Sequence, residues 1–386
     1  MSSGNKVLVL HPSLEVGGAE TQLRHLLEQY DRESAELILV LFSDWSCATT
    51  RFASNAGIRL VRLTSTKFDN FLIRQIRLIK VIKKERPVAV YSLLPNANLL
   101  NAVASFSKHK YKVVWGMRSS KFSLGRFGLR GLLVRWMTSV VSRRVDLLIS
   151  NTQAGLHQMN RGLFQVKRAI VIPNGIDTAR FFPDHDVRWR LREELGIPNA
   201  AFVIGLVARV VSWKGHDIFL DAARTLIPKG NRELVFLCVG SGDPELERKY
   251  FGSMKRGRLE GRFLWLGSRD DVDRVLNVLD VLTVCSREGE GFPNVIGEAL
   301  ATDIPVVATR VGDAPGVVGE NGLLIPPADA SELRNAWSKL LDSPEELAER
   351  AKGARLRVIS KYSVGRYVSA TIQEIAGIRS RHQTDE

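Results

Sequence analysis

Short apolar runs recur along the whole chain, and the stretches between them carry apolar residues three and four positions apart on otherwise polar segments. In the first half these runs predict strands at residues 6–11 (KVLVLH), 37–42, 59–63, 88–91, 112–115, 147–149 and 169–172. A second series follows at 202–207, 234–239, 263–266, 281–284 and 306–308. Runs too short for helices, alternating with helix-period segments, predict βαβ units and doubly wound parallel sheets. Residues 332–341, 344–359 and 364–378 predict closing helices. At 386 residues the chain exceeds what one core usually supports, so two domains are expected.

Composition narrows the class. No window approaches 18 uncharged apolar residues, so no membrane-spanning helix is expected. Lys6 precedes only the run Val7–Leu10, which His11 ends, too short for a secretory leader. Cys47, Cys238 and Cys285 lie far apart, with neither metal-ligand nor disulfide spacing, which points to a reducing compartment. The net charge of +14 is concentrated: residues 1–182 carry 27 Lys and Arg against 11 Asp and Glu, the remainder 28 against 30. Residues 67–144 hold 17 basic residues, opposed only by Asp69 and Glu85. The first half is therefore expected to meet something anionic.

Three loops carry chemistry. Between the runs 281–284 and 304–307 lies a polar, glycine-bearing loop, Ser286–Pro293, and a helix from Asn294. Such a βαβ unit sets free N–H groups and a helix N-terminus at the carboxyl edge of a sheet, where they favour an anion such as phosphate. Glu290 in the loop and Glu298 in the helix can face one ligand. After the run 202–207, Arg209 and Lys214 stand five apart before Gly215. A planar fork and a compact point charge can neutralise a diphosphate from different sides, although two solvated surface cations is the plain alternative. After the first strand, Gly17 and Gly18 let backbone approach a ligand closely, though Gly-Gly turns are common.

Taken together, Ser-x-Glu-x-Glu-Gly-Phe-Pro-Asn-x-x-x-Glu-Ala (286–299), Ile-Pro-Val-Val-Ala-Thr (304–309), Arg-x4-Lys-Gly (209–215), Gly-Gly-Ala-Glu (17–20) and Pro-Asn-Gly-Ile-Asp (173–177) resemble the signatures of the retaining, GT-B-fold glycosyltransferases of family 4. The resemblance spans nearly the whole chain but is specific only at these places. It implies two Rossmann-like domains with parallel sheets facing across a cleft: an acceptor domain over 1–182, a nucleotide-sugar domain over 183–362, and a last segment, 363–386, returning to the first. It implies retaining transfer from a nucleotide sugar, UDP favoured and GDP as the alternative, to a glycan or lipid-linked glycan in cell-surface polysaccharide or lipopolysaccharide synthesis. In that reading Arg209 and Lys214 bind the diphosphate, Glu290 contacts the transferred sugar, and Glu298 accepts from the ribose hydroxyls. Backbone N–H groups of Gly291, Phe292 and Asn294 hold sugar hydroxyls and diphosphate, and Arg269 lies in the loop under the base. The leaving diphosphate helps take the acceptor proton, and neither protein nucleophile, metal nor other cofactor is expected. Asp271 and Asp273 form a literal Asp-x-Asp, but the cluster opens a predicted helix, where carboxylates cap N–H groups.

The pattern departs in one place. Many relatives carry a first-domain histidine beside the reacting sugar, whereas no histidine lies between His25 and His109 here. Arg118, at the corresponding strand end, and Asn96 and Asn98, after the preceding strand, are the candidates there, with ordinary loop capping as the rival role.

Residues 71–86 and 121–144 are amphipathic and strongly cationic. The first repeats Leu72, Ile76, Ile79 and Ile82 along one side; the second interleaves Phe122, Trp136 and Val140 with arginines. Core-facing helices with cationic outer faces explain at least half of each stripe. Trp and Phe among cations also suit an anionic lipid surface, which would make the protein cytoplasmic and peripheral to the membrane. A nucleic-acid-binding protein fits the charge but lacks a recognition motif and leaves the Glu290–Glu298 loop without a purpose, so nucleic acid is not expected as a partner. A nucleotide-sugar epimerase or a phosphorylase of the same fold is the remaining alternative.

Overall fold

The computed structural model describes residues 5–14, 17–43, 46–64, 70–118, 136–160, 164–226, 233–254, 259 and 261–377. The chain divides into two compact units, Met1–Gly175 with Val364–Glu386, and Ile176–Ser363.

The first unit is built on seven strands: β1 (Asn5–His11), β2 (Ala35–Leu41), β3 (Arg59–Arg62), β4 (Ala89–Leu93), β5 (Lys112–Met117), β6 (Leu147–Ser150) and β7 (Ala169–Val171). All pairs are parallel, in the order β3-β2-β1-β4-β5-β6-β7. Successive residues of β1 serve opposite faces. Val7 and Val9 pack with Leu23 and Leu26 of the helix Gly18–Gln29, whereas Leu8 and Leu10 pack with Leu78, Ile82 and Leu100. A sheet covered on both faces requires continuous apolar strands, which is why β1 reads Val-Leu-Val-Leu. The order reverses between β1 and β4, so the loops after these two strands part at one point of the carboxyl edge.

The helix Val364–Ala376 belongs to this unit. Tyr367, Val368, Ile372 and Ile375 enter the core with Val7 and Val9. Its C-terminal end is held by Lys112, whose Nζ donates to Glu374 O at 2.6 Å, and by Arg168, paired with both Glu374 carboxylate oxygens at 2.7 and 2.8 Å. Residues 176–182 pack with the second unit, so the division falls at 175/176 where the resemblance placed it at 182/183. Arg355 donates to the Thr178 and Phe181 carbonyls there, at 2.8 and 2.6 Å.

The second unit carries six parallel strands: β8 (Phe202–Val207), β9 (Leu234–Val239), β10 (Phe263–Trp265), β11 (Val281–Val284), β12 (Val306–Thr309) and β13 (Gly322–Ile325), in the order β10-β9-β8-β11-β12-β13. β13 is absent from the expected strands because its run, Gly-Leu-Leu-Ile, is short and flanked by loop residues. The single helix expected over 344–359 is two, Pro344–Ala351 and Ala354–Tyr362, because Gly353 adopts φ 71° between them.

The helix Phe71–Glu85 corrects a second expectation. Its buried stripe is Gln75, Leu78, Ile82 and Glu85, while Leu72 and Ile76 of the expected apolar side are 68% and 56% exposed. Buried Glu85 is neutralised by Arg59 and Lys6, which lets a carboxylate take a core-facing position. Of the segment 121–144, residues 121–135 lie outside the described residues, and Trp136, Met137 and Val140 are exposed on the helical turn 136–142.

Candidate functional site

In the second unit the strand order reverses between β8 and β11, so the loops leaving these adjacent strands, 208–215 and 285–293, rise side by side. This brings Lys214 to Glu290 across 76 residues of sequence: Lys214 Nζ lies 2.5 Å from Glu290 Oε1, and the Ser286 hydroxyl donates to the same oxygen. Glu290 and Ser286 are buried, whereas Lys214 keeps a fifth of its side chain in solvent. An ammonium has three donors, so one spent on Glu290 leaves two for a ligand.

The turn that presents Lys214 is set by backbone. Residues Ser212–Lys214 form one 3-10 turn and Gly215 follows at φ 73°. A Cβ on Gly215 would stand 2.1 Å from the Cys285 carbonyl oxygen, so only glycine fits. Gly240 acts likewise under the Arg209 loop, where a Cβ would meet Ala208 O at 1.9 Å. Arg209 is exposed and has no hydrogen bond or ion pair among the described residues.

Arg287 braces the same turn, and sequence reasoning passed over it as an unspecified position within the motif. Its amide donates to Trp213 O at 2.8 Å, and its guanidinium donates to Ser212 O at 3.1 Å and to both Asp217 carboxylate oxygens at 2.8 and 2.6 Å. Burial pushes the Asp217 carboxyl up, but the Arg287 fork outweighs it and holds the group below its usual range. Between them, His216 is buried and stacks on Tyr250 and Trp265 at 5.7 and 5.8 Å. Burial lowers its pKa to about 4, so the imidazole beneath the Lys214 turn is neutral.

Glu298 is half-buried on the helix Asn294–Ala301, and its carboxylate has no hydrogen bond or ion pair among the described residues. Burial pushes the group up to about 7, with Arg180 opposing and Asp273 adding. The Gly291 and Phe292 amide groups are not taken up by other described residues, and Asn294 opens the helix. The Phe292 ring itself is core, edge-on to Tyr362 at 5.3 Å.

Arg269 folds back onto Asp271 in a bidentate pair of 2.7 and 2.6 Å. Arg274 also reaches Asp271, and Arg180 donates to Asp273 at 2.8 Å. The expected capping by Asp271 is therefore corrected: it stands at the N-cap of the helix Val272–Val278 with no side-chain cap bond, because guanidinium donors within reach take its oxygens.

In the first unit, Gly17 and Gly18 begin the helix Gly18–Gln29, with Gly17 tight against Glu20. Asn96 is exposed at the start of the helix Pro95–Ala104. Asn98, expected to face a ligand, is buried, its amide taken up by the Ser92 hydroxyl at 2.8 Å and Gly116 O at 3.2 Å. Arg118 Nη1 donates to Asn174 Oδ1 at 2.9 Å and Nη2 to the hydroxyls of Tyr91 and Tyr367 at 3.0 and 2.8 Å. The two tyrosines carried no sequence signal, since Tyr367 enters from the last helix.

Residues 201–343 match the family model described as Glycosyl transferases group 1, and residues 16–180 match that of Glycosyltransferase Family 4. Among curated proteins, the chain is 36% identical over 206 residues to the D-inositol 3-phosphate glycosyltransferase of Corynebacterium jeikeium, covering 51% of this chain and 49% of that protein. It thus spans about half the length of the first curated relatives it matches. Identity is 26% over 294 residues, 75% of each chain, to the UDP-Gal:alpha-D-GlcNAc-diphosphoundecaprenol alpha-1,3-galactosyltransferase of Escherichia coli. It is 27% over 290 residues, 72% of this chain and 76% of the relative, to the lipopolysaccharide core biosynthesis mannosyltransferase LpsB of Rhizobium meliloti. Among solved structures, HepE of Anabaena in complex with UDP aligns with TM-score 0.84 at 24% identity, over 97% of this chain and 100% of that one, a likeness of fold.

Proposed function

Because this chain belongs to the group 1, family 4 glycosyltransferases, we propose that it transfers a sugar, with retention, from a nucleotide sugar to a glycan or lipid-linked glycan in cell-surface polysaccharide or lipopolysaccharide synthesis. UDP is the favoured nucleotide, in keeping with the donor named for the Escherichia coli relative. The observation that carries the reading is the convergence of Lys214, Glu290 and Ser286 at the switch point between β8 and β11, beside exposed Arg209.

In this mechanism the anomeric C–O bond breaks toward the diphosphate and the acceptor oxygen attacks from the same face, its proton passing to a leaving-phosphate oxygen. The enzyme's work is to stabilise charge growing on that diphosphate. Lys214 has two donors to give, Arg209 offers an unused fork, and the Gly291 and Phe292 amides add neutral donors. Glu290, fixed by Lys214 and Ser286, keeps acceptor capacity for a sugar hydroxyl, and Glu298 has both oxygens open to a ribose. Neither a protein nucleophile nor a divalent metal enters the reading.

The acceptor side is supported by the helix Phe71–Glu85, which exposes Phe71, Leu72 and Ile76 together with Lys80, Lys83 and Lys84. Apolar and cationic side chains on one outer face suit the anionic inner surface of a membrane carrying a lipid-linked acceptor.

Incubation with tritiated UDP- and GDP-sugars and a lipid extract tests the whole reading. Label appearing in lipid, at an unchanged rate in EDTA and with the donor's anomeric configuration by NMR, is the expected result. Conversion of the sugar nucleotide without labelled lipid would point to an epimerase and sink the transferase reading.

A further inference from the structure

Among the described residues, Arg118 is a cation without a carboxylate partner. Its three bonds run to neutral oxygens, Asn174 Oδ1 and the Tyr91 and Tyr367 hydroxyls, and it lies over the Tyr367 ring at 5.2 Å. Burial pushes the Tyr367 phenol above its ordinary value, so that partner stays neutral. Among the described residues no carboxylate pairs with Arg118, and its Nε is buried without a partner. Burial disfavours the guanidinium charge and the bonds to the Tyr367 and Tyr91 hydroxyls outweigh that penalty, which leaves the Nε donor for a ligand anion to complete.

Two independent features lie at the same sheet edge. His11 ends β1, the neighbour of β4, which in turn pairs with the strand that leads into Arg118. Its Nδ1 is 2.5 Å from the Ser13 carbonyl oxygen, which can only accept, so Nδ1 carries the proton and Nε2 is a bare lone pair. The ring is fully buried and Nε2 has no partner among the described residues. Burial lowers its pKa to about 4, the Ser13 bond opposing and the Arg118 charge adding. Leu94, which joins β4 to the helix Pro95–Ala104, holds φ 75° and ψ 152°, a conformation costly for any residue but glycine and concentrated at binding sites.

We propose that the carboxyl edge of β1, β4 and β5 binds a hydroxylated anion, a sugar acid or a sugar phosphate, with Arg118 taking the anionic group and His11 Nε2 accepting from a hydroxyl. This deepens the proposed function by putting charge on the substrate at Arg118, and it is tested apart from the donor site.

The test is ligand-observed NMR on the full chain saturated with UDP, which fills the phosphate-binding groups of the second unit, titrated with glucuronate, glycerol 3-phosphate and neutral glucose. At least one anion is expected to bind about tenfold or more tightly than glucose, and Arg118→Gln to lose that margin. Preference for glucuronate assigns the charge to a sugar acid; preference for glycerol 3-phosphate assigns it to a phosphate-bearing acceptor. Tyr367→Phe, which keeps the charge and removes one of its neutral ligands, should weaken the anion severalfold and guards against misfolding of the first variant. Equal binding of all three probes, no anion binding, or an unaltered margin in folded Arg118→Gln overturns the proposal. Should UDP itself fail to bind, the donor-site reading falls while the same anion titrations, run without UDP on a Lys214→Met chain, still decide this one.

Discussion

Lys214 and Glu290 meet at 2.5 Å, so the cation assigned to the leaving diphosphate rests on the carboxylate assigned to the sugar. The two functions are therefore coupled through one short contact. Replacing Lys214 by Met leaves buried Glu290 with only Ser286, at an expected stability loss of about 1–3 kcal/mol by chemical denaturation. Transfer should fall at least ~100-fold, the scale of losing one charge-stabilising donor. Glu290→Gln keeps the shape of the contact and should lose less stability. A double-mutant cycle with additive effects would separate the two residues and contradict the coupling.

Glu298 makes stability and nucleotide uptake depend on pH. Its folded value of about 7 lies above the unfolded 4.5, so the protonated carboxyl favours the fold. That contribution is present in full below about 4.5 and is lost as pH rises through 7. Glu298→Gln should accordingly be more stable than the parent above pH 7, by about 1–3 kcal/mol, with the gap closing toward pH 4.5 in thermal melts. If Glu298 takes the proposed ribose contact, UDP binding should strengthen from pH 6 to 8 in the parent and stay flat in the variant. Parallel melting curves across that range would remove the assignment.

Arg287 and Asp217 form a brace behind the Lys214 turn. Arg287→Lys retains charge but cannot make both Asp217 bonds and the Ser212 bond together. Because both partners are partly in solvent, the stability loss should stay near 1 kcal/mol or below. The donor KM should rise about tenfold while kcat changes less, since the turn is positioned rather than consumed. Asp217, depressed below its usual carboxylate range, should keep the brace above pH ~3.8 and lose it as pH falls through the folded value. An unchanged KM would leave Arg287 with a purely structural part.

On the helix Phe71–Glu85, Leu72→Ser with Ile76→Ser should shift stability by no more than about 0.5 kcal/mol, because both side chains are already exposed. The same pair, or Lys83→Glu with Lys84→Glu, should cut binding to vesicles containing phosphatidylserine in a flotation assay. The lysine pair alone should also reduce its salt sensitivity. Full binding by both variants would leave the exposed face without a membrane partner.

The strand pattern was legible because sheets covered on both faces demand unbroken apolar runs: all twelve expected runs are strands, three with the expected bounds and nine shifted by one or two residues. β13 escaped because four residues between loop formers carry too little period, and the break at Gly353 because a left-handed glycine inside a helical pattern looks like any other glycine. At the site, Lys214, Glu290 and Glu298 could be singled out through the family resemblance, since their loops lie within continuous motifs. Arg287, Tyr91, Tyr367 and His11 could not, because their meaning comes from which strands are neighbours. The apolar stripe of residues 71–86 was misread for a related reason: periodicity locates a face, but only the partners Arg59 and Lys6 make Glu85 tolerable inside.

The helix Val364–Ala376 supplies Tyr367, Val368, Ile372 and Ile375 to a core otherwise made from the first 175 residues. During synthesis the ribosome has finished the entire second unit before that piece emerges. The half translated first must therefore wait, with an apolar trough beside β1 open to chaperones, for the half translated last to be completed.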